Sequence, residues 1–258
     1  MPILLLKLTL TPLLIGGSSL AARRWGPLIG GWIVSLPLTS APVIFFLALD
    51  HGAAFAADAS VGTLAGLGIL GGWCLGYAAA ASRGPFVAVL AAAATFAVLG
   101  AAAQLILGAP FVALVALAYA SIVIALRLLP PGGSLRSEAP HPTWDLPARV
   151  VVGTTLVVGL TTIAPLLGPS LSGLLATYPV NVSVLSVFTQ LREGPGGAFD
   201  TQRGLLKGLF GTIAFYVVLH PALPVIGIGP AFLASIAVAL AIQVVALRNV
   251  RAGAAESA

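Results

Sequence analysis

Charge is what this chain has least of. Among 258 residues only twelve are Lys or Arg and seven are Asp or Glu. A soluble domain carries far more charge than this on its surface, so a soluble globular fold is excluded. A single cysteine, Cys74, excludes an intrachain disulfide and a thiolate metal centre. It is read as a small buried apolar residue. The hydrolase and phosphate-binding signatures HExxH, GxSxG and G-x-x-x-x-G-K-S/T are missing, as are the paired aspartates of membrane phosphotransferases. The expectation is a non-enzyme with no cofactor and no metal. No Asp or Glu falls at the centre of a predicted span. That argues against ion coupling through a central carboxylate, the costliest and most telling residue in a bilayer.

What is abundant is hydrocarbon. The chain is 59% hydrophobic, with a mean hydropathy of +1.09. Apolar runs near the length that crosses a bilayer recur throughout. They predict an all-α polytopic membrane protein of nine spans: 3–20, 28–49, 60–80, 85–107, 110–129, 148–166, 170–191, 203–220 and 225–247. Under this count the loops alternate between two faces. Eleven of the twelve basic residues fall on one face, and only Lys7 falls on the other. This positive-inside bias places the N-terminus outside and the C-terminus in the cytoplasm. The pI near 10.0 then reflects topology and attraction to lipid headgroups rather than nucleic-acid binding. Residues 3–20 lack the basic leader of a signal peptide.

The chain also repeats itself. At a shift of 142 residues, positions 26–67 fall on 168–209 with 13 of 42 identical. Gly26-Pro27 falls on Gly168-Pro169, Pro37 on Pro179, Gly52 on Gly194, Asp58 on Asp200, and Gly62 and Gly66 on Gly204 and Gly208. Upstream, Lys7 falls on Arg149, and Gly84-Pro85 pairs with Gly229-Pro230 at a shift of 145. Such a repeat is read before any local feature. The predicted units are 1–108 (spans one to four), 109–147 (span five and a flexible polar loop), 148–250 (spans six to nine) and a tail, 251–258. Four spans followed by one extra span turn the second copy upside down, giving a 4+1+4 inverted repeat. That is a common transporter architecture, with the site near the midplane.

The candidate site lies in the second span of each copy. Pro37, with Thr39 and Ser40, and Pro179, with Tyr178, Asn181 and Ser183, stand near the span centres. Proline removes a backbone donor and breaks or kinks a helix, and the freed carbonyls in lipid need partners. A true break presents a helix N-terminus that favours an anion. A kink whose hydroxyls bond their own backbone is the plainer alternative. Asp58 and Asp200 are read as helix caps, with gates or proton sites at opposite mouths as the functional alternative. Lys207 either snorkels to the basic face or attracts an anionic solute, and His220 is a lone titratable candidate. The repeated Gly62-x-x-x-Gly66 and Gly204-x-x-x-Gly208 predict close helix packing.

The segments GPLIGGWIVSLPLTSAPVIFFLALDHG and FAADASVGTLAGL resemble the small four-span bacterial inner-membrane proteins of the GlpM type. The resemblance implies membrane localisation and transport, linked in some members to envelope or exopolysaccharide processes. It brings no catalytic residues. This chain departs from that pattern by joining two such units through a fifth helix, like a fused antiparallel dimer. The expected function is alternating-access transport of a small solute, with an organic anion preferred and a homodimer admissible. A lipid flippase or scramblase, or a non-transporting membrane subunit, is the alternative.

Overall fold

The computed structural model describes residues 2–37, 40–105, 108–133, 144–163 and 177–256. Every regular element among them is helical: α1 (Pro2–Trp25), α2 (Pro27–Val34), α3 (Ser40–His51), α4 (Ala53–Ala80), α5 (Pro85–Gln104), α6 (Phe111–Leu128), α7 (Asp145–Ile163), α8 (Val180–Ile226) and α9 (Ile228–Glu256). A short 3-10 turn, Ala81–Arg83, joins α4 to α5.

Most of the tight turns are single glycines. Gly26, Gly52, Gly84, Gly194 and Gly227 have φ of 92°, 89°, 105°, 75° and 79°. Only glycine adopts this backbone cheaply. Gly26, Gly52 and Gly84 each serve the elements on both sides at once. The Gly52 amide donates to Ala48 O (3.0 Å), closing α3, while its carbonyl accepts from Ala56 N (3.2 Å), opening α4. Gly26 does the same between Ala22 and Gly30. Proline follows Gly26, Gly84 and Gly194 at the first helical position, where its missing N–H costs nothing. Helix α8 is therefore two helices meeting at Gly194, about 21 and 48 Å long at ~1.5 Å per residue, folded back so that Gly197 lies against Thr189.

Side-chain pairs fix the directions. Phe111 stacks on His220 (4.2 Å) and Tyr119 on Phe210 (5.7 Å), so α6 runs antiparallel to the second segment of α8. Gly68 lies against Ala118 and Gly71 against Ser121, so α4 runs parallel to α6. Gly31 meets Thr201 and Gly208 meets Ser35, so α2 runs parallel to the second segment of α8. The turns at Gly26, Gly84 and Gly194 thus share one end of the molecule, together with Arg23, Arg24, Arg83, Arg127, Arg192 and Arg203. The opposite end carries His220 and Ala57, 3.0 Å apart between ring Nδ1 and carbonyl.

Among the described residues, five helices are long and apolar enough to cross a membrane: Ala53–Arg83, Pro85–Ala103, Phe111–Leu128, Val180–Ile226 and Ile228–Val245. The nine expected spans are thus matched only in part. Helices α2 and α3 have 8 and 12 residues, roughly 12 and 18 Å, too short to cross alone. Leu90, Val98, Val112 and Leu233 are 69%, 68%, 76% and 71% exposed, an apolar belt too extensive for an aqueous surface.

Several expectations need correction. Asp58 and Asp200 are not helix caps: each lies more than a turn inside its helix, because Gly52 and Gly194 start those helices. Asp58 is exposed. Asp200 Oδ2 accepts from Gly133 N (3.2 Å). Of the expected loop, residues 130–133 are held against α8, and α7 begins at Asp145. Residues 134–143 lie outside the described residues. Helix α9 runs on through the expected tail to Glu256. Finally, the turn that matches Gly84 is Gly227, a shift of 143, and not Gly229.

Replacing Gly52 or Gly194 with Ala should cost about 1–3 kcal/mol each, the range for a non-glycine residue held in such a conformation. No neighbour crowds either position, so the loss is conformational. Thermal unfolding in detergent should show both variants weakened, and Gly62→Ala, in ordinary helix with open space, unchanged or stabilised.

Candidate functional site

The first interruption is Ser35-Leu36-Pro37 between α2 and α3. Helix α2 closes with tight bonds from Ser35 N to Trp32 O (3.1 Å) and from Leu36 N to Ile33 O (3.3 Å). Helix α3 opens with Ala41 N donating to Pro37 O (3.0 Å). Thr39 lies outside the described residues. The second non-helical stretch, the repeat counterpart of the first interruption, is Thr177-Tyr178-Pro179, directly before α8; residues 164–176 lie outside the described residues. Pro179, at φ −82° and ψ 64°, is the centre of an inverse γ-turn, with Val180 N donating to Tyr178 O (2.9 Å). Both prolines therefore sit in non-helical backbone directly upstream of a helix N-terminus.

Each interruption packs on the glycine-rich helix of the other half of the chain. A Cβ added to Gly66 would lie 2.7 Å from the Thr177 side chain, and one added to Gly208 would lie 2.8 Å from Ser35 Cβ. Gly66 and Gly208 are repeat mates, and so are Ser35 and Thr177. The two contacts are thus the same contact made twice, with the halves exchanged. Thr212 Oγ1 donates to Ser35 O, supplying a partner for the broken backbone. A second close approach lies beside it: Cβ atoms at Gly31 and Gly204 would strike the Thr201 and Leu28 carbonyls.

The expected site residues fall into two groups flanking the α4–α8 contact, rather than one cluster. Pro37 and Ser40 are half-buried beside the second segment of α8, where the buried Tyr216 hydroxyl lies near Ser40 without closing a hydrogen bond. Tyr178 packs edge-on against Phe96 (5.4 Å). Ser183 Oγ donates to Pro179 O (2.8 Å) and lies 3.4 Å from the Tyr178 hydroxyl, so its hydroxyl serves the broken backbone, the plainer of the two readings. Asn181 is half-buried in the first turn of α8. Lys207 stands one turn beyond Arg203, away from the basic end and next to Gly208, and His220 is a packed residue at the far end. His220, Asp58 and Asp200 therefore lie apart from the interruptions.

Sequence reasoning missed Ser35, Thr177, Thr212 and Tyr216. The first two were marked by a small hydroxyl at equivalent positions of the repeat. It also counted Arg149 as a loop charge. Arg149 is 3% exposed, with its guanidinium 5.0 Å from the Phe188 ring, about 12 Å along α8 from Val180. A separate apolar cavity of about 290 Å³ lies between α4, α5 and α6, lined by Leu64, Leu99, Leu114 and Ser121 among others. Its one polar wall group, Ser121 Oγ, donates to Gly68 O (2.5 Å). Among the described residues no group of three or more His, Cys, Asp or Glu is placed to hold a metal ion.

Comparison with protein-family models, curated proteins and solved structures finds no match to this chain.

The reciprocal contacts predict reciprocal rescue. Gly208→Ala and Gly66→Ala should each cost about 1–3 kcal/mol by overpacking. Ser35→Gly should restore much of the loss in Gly208→Ala but none in Gly66→Ala. Thr177→Gly should do the reverse. Unfolding midpoints of the two double-mutant cycles measure this.

Proposed function

We propose that the chain is an alternating-access carrier for a small solute, built as an inverted repeat in a bacterial inner membrane. In this reading nine segments enter the bilayer in a 4+1+4 order. The half-helices α2 and α3 together form the second, and the seventh ends in the first segment of α8. The basic end faces the cytoplasm and the solute binds at the height of the two interruptions. The observation that carries the reading is the exchanged contact, Gly66 on Thr177 and Gly208 on Ser35. It relates the two halves by a swap and sets both interruptions against the middle of a long helix. Rocking one half against the other would expose the interrupted backbone to one side and then the other.

An organic anion is the preferred solute class. Helix N-termini at Ser40 and Val180 both begin at the interruptions, and such termini favour negative charge. The buried Arg149 adds a cation in the same half of the membrane. The resemblance to GlpM-type proteins agrees with membrane transport. A second reading, lipid flipping, draws on the apolar cavity between α4, α5 and α6, which suits hydrocarbon better than a polar solute.

Uptake into proteoliposomes, screened with small carboxylates, phosphates, sugars and amines, tests the proposal. A carboxylate should be taken up, and Tyr216→Phe or Asn181→Leu should lower its uptake by about tenfold, the worth of one lost hydrogen bond at the upper end, with folding retained. Headgroup-labelled lipid crossing the bilayer, with no solute uptake, would favour the flippase. No transport of either kind would leave a membrane subunit.

A further inference from the structure

Among the fully buried polar side chains that have no hydrogen-bond partner in the protein, three converge near the basic end: the Tyr77 hydroxyl, the Ser186 hydroxyl and both amide atoms of Gln202. Each is 0% exposed. A fourth, Gln190, donates through Nε2 to Ala81 O (2.8 Å) and leaves its Oε1 unpartnered. Buried polar groups are almost always satisfied, and each exception calls for an occupant.

The helix registers bring these groups together. Thr177 meets Gly66 and Gln190 meets Ala81, so the first segment of α8 runs parallel with α4. Ser186 lies one turn before Gln190 and Tyr77 one turn before Ala81, so each faces the other helix at the same height. On the second segment of α8, His220 points at Ala57 of α4. Gln202 lies about five whole turns back from His220, so it points the same way. The antiparallel run brings it opposite the α4 turn that ends at Tyr77. The fold-back at Gly194 sets Gly197 against Thr189, which closes the triangle of α4 and the two α8 segments.

We propose that Tyr77, Ser186, Gln190 and Gln202 form an internal binding site for a small neutral hydroxylic molecule, about 15 Å from the interruptions towards the basic end. The four groups offer hydroxyls, an amide N–H pair and carbonyl oxygens, and none is charged. A water molecule, or one hydroxyl of a polyol, donates and accepts as this set requires. An anion would face two carbonyl and two hydroxyl oxygens without a compensating cation. The site does not depend on the transport reading.

The test uses the full-length protein in detergent, with water and glycerol as probes. Radiolysis of bound water should oxidise the Tyr77 ring although bulk solvent does not reach it. Ser186→Ala and Gln202→Leu should each reduce that oxidation severalfold and lower Tm by a few degrees, because they remove partners of an occupant. Should Gln202→Leu misfold, Tyr77→Phe keeps the question open: it lowers Tm if the site is occupied and raises it if the hydroxyl is merely stranded. A rise in Tm with glycerol that is larger in the native protein than in Gln202→Leu identifies a polyol hydroxyl as occupant, and equal rises identify water; both support the site. An unoxidised Tyr77, or a Tm that rises in the Tyr77→Phe or Gln202→Leu variant, overturns it.

Discussion

Close approach of backbone to backbone at glycine holds this structure together. Helix α2 is only eight residues long and has no means of spanning a bilayer by itself. It is kept in place because Gly31 and Gly204 let it settle onto the second segment of α8, with carbonyls where side chains would otherwise stand. Apolar side chains gain little from helix association in lipid, since lipid is equally apolar. Dispersion across small-residue surfaces and a few interhelical hydrogen bonds do the holding. Here those bonds run from side chains to backbone carbonyls: Thr212 to Ser35, Gln243 to Gly208 (2.7 Å) and Gln190 to Ala81 (2.8 Å). An interrupted helix survives in such a setting only where its freed groups are met by protein.

The polar linker after α6 is anchored by the same logic. Arg203 Nη2 donates to Leu129 O and Pro130 O, both at 2.6 Å, and Asp200 accepts from Gly133 N. Two of the few charges near the basic end are therefore spent on the exit of α6, which joins the halves. The exchanged contacts at Gly66 and Gly208 then relate those halves across the α4–α8 pair, and the two interruptions become equivalent surfaces.

The parts of this arrangement that depend on backbone were legible in the sequence. Gly52 and Gly194 recur at the shift of 142 because both hold a positive φ, and Pro37 and Pro179 recur because both stand in interrupted backbone. Gly66, Gly204 and Gly208 were correctly read as packing residues, whereas Gly62, expected to pack with them, faces open space. What failed were inferences about which group serves a helix end. Asp58 and Asp200 resembled caps, but a one-residue glycine turn closes one helix and opens the next with its own amide and carbonyl, so no side chain is needed. Each interruption meets the other half's long helix, a choice that depends on three-dimensional register. Tyr77, Ser186 and Gln202 were unremarkable letters in apolar runs, because their convergence appears only once three helix directions are known.

The account stands or falls on the inversion of the two halves. In a Cys74→Ala background, a single cysteine placed at the exposed Ala54, beside the Gly52 turn, and another at the exposed Pro195, beside the Gly194 turn, report corresponding corners of the repeat. With a membrane-impermeant thiol reagent on intact cells, the position 54 variant should label at once, and the position 195 variant only after the membrane is permeabilised. Labelling of both positions from the same side would contradict the inverted repeat.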